Sequence, residues 1–245
     1  MLIKSSIVNT AYKLVDDIKQ EYISYQDNFK SNFSEPTILD LPQNAPVEVP
    51  RIFMKSKGEH TQISIAPAAS CMQIQYTDEY VKAWELCERY LKSRADDLFG
   101  FIDVVAHNNY KYLGVITNIV WNDVSNEGQK NLYKNLFGKE APKALDDLVV
   151  KYTYVEEDSY YVNITLQSSQ MYEECEEDSA GMFSNEKLKA HTVIVVLDIN
   201  DRYSYNKKEG YVSNKDVYDS LLKITSDIIV NKIQTLIETG EYRND

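Results

Sequence analysis

The tetrad Asp198-Ile199-Asn200-Asp201 is where residue type and spacing first suggest chemistry. Two carboxylates and an amide stand at the end of a run, Val193 to Ile199, in which only Asp198 is not apolar. On a strand, side chains alternate with a period of two, so Asp198 and Asn200 point the same way. With a third acid from elsewhere, Glu173 or Asp158, they would hold Mg²⁺ in a nuclease-like or hydrolase site. The acid-x-Lys pair of such a site is missing here, since the one in the chain, Asp17-Ile18-Lys19, lies far upstream. A calcium-loop reading fails as well: counting from Asp198, the fifth position is Arg202 and the sixth is Tyr203 where Gly is needed. The plainer reading is a strand's polar exit into a loop. It leaves the chain with no assigned catalytic residue or cofactor, and Asp198, Asn200 and Asp201 with Mg²⁺ as the alternative.

The densest charge run is Glu173-Glu174-Cys175-Glu176-Glu177-Asp178. Such carboxylates repel one another and favour a solvated segment. Tyr172 before the run, and Met182 and Phe183 after it, add apolar groups that an exposed loop does not need. Acid mixed with exposed hydrophobe points to protein binding. The candidate partner-binding residues are therefore Tyr172, Glu173, Glu174, Glu176, Glu177, Asp178, Met182 and Phe183.

Other chemistries find less support. His60, His107 and His191 are scattered without metal-ligand spacing, and no metal site is assigned. Cys71, Cys87 and Cys175 form no CxxC pair, and the odd count does not suggest a disulfide framework. Cys71 with His107 or His191 is conceivable as a nucleophilic pair but has no local signature. Eight separated glycines cannot cradle a phosphate.

The formal charge of −12 repels nucleic-acid phosphates and anionic lipid, so broad nucleic-acid binding is disfavoured. An acidic surface suits a partner with a basic one. No apolar run approaches the ~20 residues of a membrane span, and Met1–Ser6 carries no long apolar stretch of the signal-peptide kind. A cytoplasmic location is the expectation.

The elements that must position these residues follow from periodicity. Ile7, Ala11, Leu14, Ile18, Tyr22, Tyr25 and Phe29 recur at three- and four-residue steps and predict a long helix over 3–30, able to dock on the core or to form a homodimer seam. Pro36, Pro42, Pro46 and Pro50 make 31–50 an extended strap. Short strands are expected at 51–56, 61–65 and 71–76, a helix at 78–101 and a long strand at 110–121. Residues 122–147 read as a connector with a helical piece near 128–137. A hairpin at 148–155 and 160–166, the strand 190–200 and a helix over 214–239 complete the chain. Strand 190–200 is apolar enough to expect cover on both faces. The organisation is thus an N-terminal helix (1–30), a strap (31–50), a first half (51–121), a connector (122–147) and a second half (148–245). The class is α+β with antiparallel sheet, with two pseudo-symmetric strand-strand-strand-helix halves as a conjecture.

The segment from Ala45-Pro46-Val47-Glu48 through helix 78–101 to Tyr112-Leu113-Gly114-Val115-Ile116-Thr117-Asn118 resembles a sporadically distributed, uncharacterised bacterial family. Its marks are a proline-glutamate start, a Tyr-rich helix, and a strand with a glycine followed by an asparagine. Residues 191–239 fit its late acidic strand and closing helix. That family's strand carries arginines where this one has only Lys111, and its glycine-to-asparagine spacing is one residue longer. The resemblance implies a scattered bacterial protein tied to mobile elements or antiviral defence, and transfers no catalytic residues. The function expected from the sequence is a non-catalytic protein-binding subunit, either a sensor, an inhibitor or an accessory component of a defence or toxin system. The divergent metal-dependent hydrolase is the alternative.

Overall fold

A computed structural model of the chain describes residues 1–245 except 43, 125, 142–144, 146, 173–187, 241 and 243–245. Among the described residues nine strands form one antiparallel sheet. They are β1 (Leu2–Tyr12), β2 (Thr37–Ile38), β3 (Ile52–Lys55), β4 (Thr61–Ile65), β5 (Ala69–Gln75), β6 (Tyr110–Val124), β7 (Leu148–Glu156), β8 (Tyr160–Tyr172) and β9 (Leu188–Asn200). Their order across the sheet is β2-β3-β4-β5-β1-β6-β9-β8-β7. The helices are α1 (Ile18–Tyr25), α2 (Trp84–Val105), α3 (Asn126–Phe137), α4 (Arg202–Lys207), α5 (Lys215–Asp227) and α6 (Ile233–Thr239). The α+β class with an antiparallel sheet, expected from the sequence, is what the chain adopts.

The N-terminal 3–30 helix is not formed. Residues 2–12 are instead a central strand, paired with β5 on one side and β6 on the other, and only 18–25 is α-helical. The misleading signal is physical. The core face of β1 is Ser6, Val8, Thr10 and Tyr12, so hydroxyls stand where alternation would show aliphatics. Those hydroxyls are paired across strands: Ser6 with Thr117 at 3.3 Å, and Thr10 with Ser70 at 2.6 Å. A buried hydroxyl with a partner costs little, so the strand tolerates the mixture. The later part of the expected stripe is real: Ile18, Tyr22 and Phe29 are buried, and Tyr22 and Phe29 lie against Phe101 of α2. Leu14, on the same expected stripe, is 51% exposed. A dimer seam along a 3–30 helix therefore has no structural counterpart.

The 51–121 and 148–245 halves do not divide the sheet either. β1 lies outside both and pairs with β6 over ten positions, and β6 pairs in turn with β9 of the second half, so one sheet with one hydrophobic core runs through both. A pair of self-contained pseudo-symmetric halves does not describe this arrangement.

Helices cover one face of the sheet. Phe99 of α2 meets Tyr110 of β6 and Tyr218 of α5, with ring centroids 5.9 and 4.9 Å apart. The Trp84 indole N–H donates to Ser226 at 2.9 Å, tying the start of α2 to the end of α5. Asn214 caps α5 by accepting the Val217 N–H at 3.2 Å. The helix then runs through a π-helical turn, Ile228–Lys232, into α6, and Gly240 ends it in the left-handed region at φ +75°. A Cβ at Gly240 would also lie 2.3 Å from the Asn135 carbonyl oxygen, so glycine is required twice over there.

The two edges of the sheet differ. At one edge β2 is only two residues long, and a proline-rich segment links it to β3. The buried Arg51 guanidinium holds that segment, donating to the carbonyls of Val49 (2.6 Å), Ala45 (3.2 Å) and Pro46 (3.3 Å). At the other edge lies β7, nine residues long. No helix among the described residues is long and apolar enough to cross a membrane.

Candidate functional site

The residues that alternate away from the helices form the second face of the sheet. One row across it is Phe53, Ser64, Cys71, Asn9, Gly114, Asn200, Tyr161 and Val155. The next is Lys55, Gln62, Gln73, Ile7, Ile116, Asp198, Asn163 and Thr153. Beyond it lie Gln75, Ser5, Asn118, Val196, Thr165 and Lys151, and then Val120, Ile194, Gln167 and Val149. Among the described residues no helix lies across these rows; α4 alone reaches their end. Ile194 and Val196 of β9 are accordingly half-buried while Val193, Val195, Leu197 and Ile199 are fully buried, so β9 is covered by helices on one face, not two.

Chemically the face is amide, hydroxyl, aliphatic and tyrosine. Among the residues just named only Lys55, Lys151 and Asp198 carry charge, on a chain of net −12. Asp198 sits near the middle of the better-covered half. The Asn163 Nδ2 donates to the Asp198 backbone carbonyl at 3.0 Å and, longer, to its carboxylate at 3.4 Å. The Asn200 Nδ2 donates to the other carboxylate oxygen at 3.0 Å. Thr153 donates to Asn163 Oδ1 at 2.7 Å, and Asn200 Oδ1 accepts the Arg202 N–H at 3.3 Å. This ladder spans β7, β8 and β9 and fixes the rotamers of both amides. Among the described residues Asp198 has no ion-pair partner. A half-exposed carboxylate oriented by two amides is ready to accept a bond from an incoming ammonium or guanidinium.

Aromatic groups frame that end of the face. The Arg202 guanidinium lies 4.4 Å over the Tyr112 ring, and Tyr205 stands edge-on to Tyr112 at 5.5 Å. Tyr203 stands edge-on to Tyr161 at 5.4 Å. Tyr112 and Tyr161 belong to the sheet, and the other three to α4, so α4 forms a rim. Gly114 opens the floor beside it: a Cβ there would approach the Asn200 Cβ to 3.3 Å, tighter than ordinary contact.

The third member of the alternative catalytic set lies elsewhere. Asp201 is fully buried, and its carboxylate accepts the Leu113 N–H at 2.7 Å, the Tyr211 hydroxyl at 2.8 Å and the Ser213 hydroxyl. Desolvation raises its pKa above the ordinary carboxylate range, and these donors only partly offset it. Asp201 thus fastens β6 to the segment leading into α5. Asp198 and Asn200 share a face and a hydrogen bond, as their spacing implied, but Asp201 spends its acceptors inside the protein. Among the described residues no three His, Cys, Asp or Glu side chains group as metal ligands.

The remaining sequence candidates separate. Tyr172 ends β8, while Glu173, Glu174, Glu176, Glu177, Asp178, Met182 and Phe183 lie outside the described residues. Asp158 is an exposed turn residue between β7 and β8. His60 and His107 are exposed, far from one another in the topology. Burial raises the Cys71 thiol and pushes the Cys87 thiol to about 12, the opposite of an activated thiolate. Sequence reasoning missed Tyr112, Asn163, Tyr203, Tyr205 and Arg202 as a group. The one available signal was the alternation of Tyr161, Asn163 and Thr165 opposite Val162, Ile164 and Leu166. The chain matches no protein-family model and no curated protein sequence.

Proposed function

We propose that this chain is a protein-binding component, a sensor, inhibitor or accessory subunit of a bacterial defence or toxin system, with no catalysis of its own. The observation that carries the reading is the open, charge-poor sheet face with Asp198 held on it by Asn163 and Asn200. Charged residues are depleted, and tyrosine and arginine enriched, at the cores of protein interfaces. Here Tyr112, Tyr161, Tyr203, Tyr205 and Arg202 surround one end of such a face. The partner is a protein that brings a lysine or arginine to Asp198 amid apolar and amide contacts. Its flanks are basic, matching the −12 charge, most of which lies off this face. The acidic segment 173–178 contributes to the chain's negative charge. The resemblance to a scattered bacterial family supports the defence or mobile-element setting.

Affinity isolation from the native cell under low-salt conditions tests the reading. A stoichiometric protein partner is expected with the wild type and absent with Asp198→Lys, which would set a cation against the partner's cation. A chain that stays solitary and hydrolyses phosphodiesters in Mg²⁺ would defeat it.

A further inference from the structure

β7 is the long edge of the sheet, and the Tyr242 ring packs on its Tyr152 and Tyr154 side chains. It is a nine-residue strand, Leu148–Glu156, paired with β8 on one side only. Among the described residues the one other backbone bond to it is from the Ser159 N–H to the Glu156 carbonyl, in the turn to β8. Proteins normally blunt such an edge with short strands, charged side chains, prolines or bulges, and of these β7 has charge alone, at Lys151 and Glu156. This protein does so at its other edge, where β2 has two residues and follows Pro36. β7 has no proline, no bulge against β8, and one lysine. It also exposes Val149 (57%) and Val155 (38%). Two unlike treatments of two edges in one sheet call for an occupant of β7.

We infer that the occupant is a second copy of the chain, with β7 pairing antiparallel to β7 of its partner about Tyr152. The sequence of the strand fixes both the occupant and the register. Centred on Tyr152, the pairing sets Val149 opposite Val155, Val150 opposite Tyr154, Lys151 opposite Thr153 and Leu148 opposite Glu156. The two exposed valines on one face thus cover one another, twice, by two-fold symmetry. Centring on Lys151 instead sets the two lysines against each other and strands Val155 beyond the pairing. Centring on Thr153 sets Lys151 against Val155. Because Val149 and Val155 share a face, the pairing joins the two open faces into one continuous surface. That surface presents two Asp198 sites and makes any partner's binding bivalent. The dimer itself does not depend on what binds the open face.

Light scattering and sedimentation of the full chain test this, with a charge swap reading the register. The wild type is expected to be a dimer. Val149→Lys with Val155→Lys places lysine opposite lysine twice and is expected to give a folded monomer, with at least a hundredfold weaker association. Val149→Glu with Val155→Lys places glutamate opposite lysine in the Tyr152-centred register, whereas centring on Thr153 would set the new lysine against Lys151, and it is expected to restore the dimer. Both positions are solvent-exposed, so circular dichroism should match the wild type. Amide exchange over 148–156 should also slow as wild-type concentration rises. A monomeric wild type, a double-lysine variant that stays dimeric, or a swap variant that stays monomeric would each overturn the inference.

Discussion

Leu197 and Val196 are neighbours on one strand and live in different worlds. Leu197 is fully buried beneath the helices, whereas Val196 lies half-buried on the face that no described helix crosses. The same contrast runs along the whole sheet. Its helix side is a continuous apolar core, in which the Ser6 and Thr10 hydroxyls are paired across strands. Its open side is amides, hydroxyls, tyrosines and isolated aliphatics, with three charges among the residues of its four rows. The difference teaches that stability is concentrated on one side and recognition on the other. Aliphatics on the open side are too sparse to demand cover within the chain, and charges too few to repel a partner.

The sharpest way to break that contrast is to truncate the two neighbours in parallel. Leu197→Ala should cost about 3 kcal/mol, as expected for an aliphatic cut from a packed core. Val196→Ala should cost under about 1 kcal/mol because solvent already reaches it. Chemical denaturation of both variants checks this, and equal losses would show that the open face is covered after all. Next in size is Asp201→Ala. It strands the Leu113 N–H and two hydroxyls and should cost about 2 kcal/mol, while Asp198→Ala should stay within about 0.5 kcal/mol in the same assay.

The β7–β8 turn offers an effect of the opposite sign. Glu157 and Asp158 both hold positive φ, at 49° and 48°, a turn for which Asn-Gly is suited and these residues are not. Glu157→Asn with Asp158→Gly should stabilise by about 1 kcal/mol, raising Tm by roughly 2–4 °C in calorimetry. The smallest expected effect concerns pH. Because burial raises Asp201 in the folded state, protonation favours folding. The stability it contributes is present below the unfolded carboxylate pKa and is lost as pH rises through the higher folded value. The stability of Asp201→Asn relative to wild type should therefore improve as pH is taken upward from the ordinary carboxylate range towards neutrality. A difference that shrinks over that range would mean that the three donors outweigh the desolvation.

Strand β9, the 148–166 hairpin and the closing helix could be read from the chain because each carries a strong local pattern. The hairpin alternates, β9 is a dense β-branched run, and the helix has an Asn214 cap, a four-residue aliphatic stripe and a terminal glycine. β1 could not be read. Its core-facing Ser6 and Thr10 take partners, Thr117 and Ser70, that lie far away in sequence, so their burial has no local sign. The candidate site was half legible. Asp198 and Asn200 share a face by the geometry of a strand, which spacing alone determines. That Asn163 joins them, that α4 returns Arg202 and two tyrosines over Tyr112 and Tyr161, and that Asp201 turns inward all follow from register between distant strands.

The sequence by itself determined the class, the residue alternation on most strands, and the excess of negative charge, because these depend on near neighbours and on sums. Tertiary structure alone decided which face is covered, which edge is left open and which carboxylate meets solvent. Those outcomes depend on strand order and on where helices land, and a chain records neither locally.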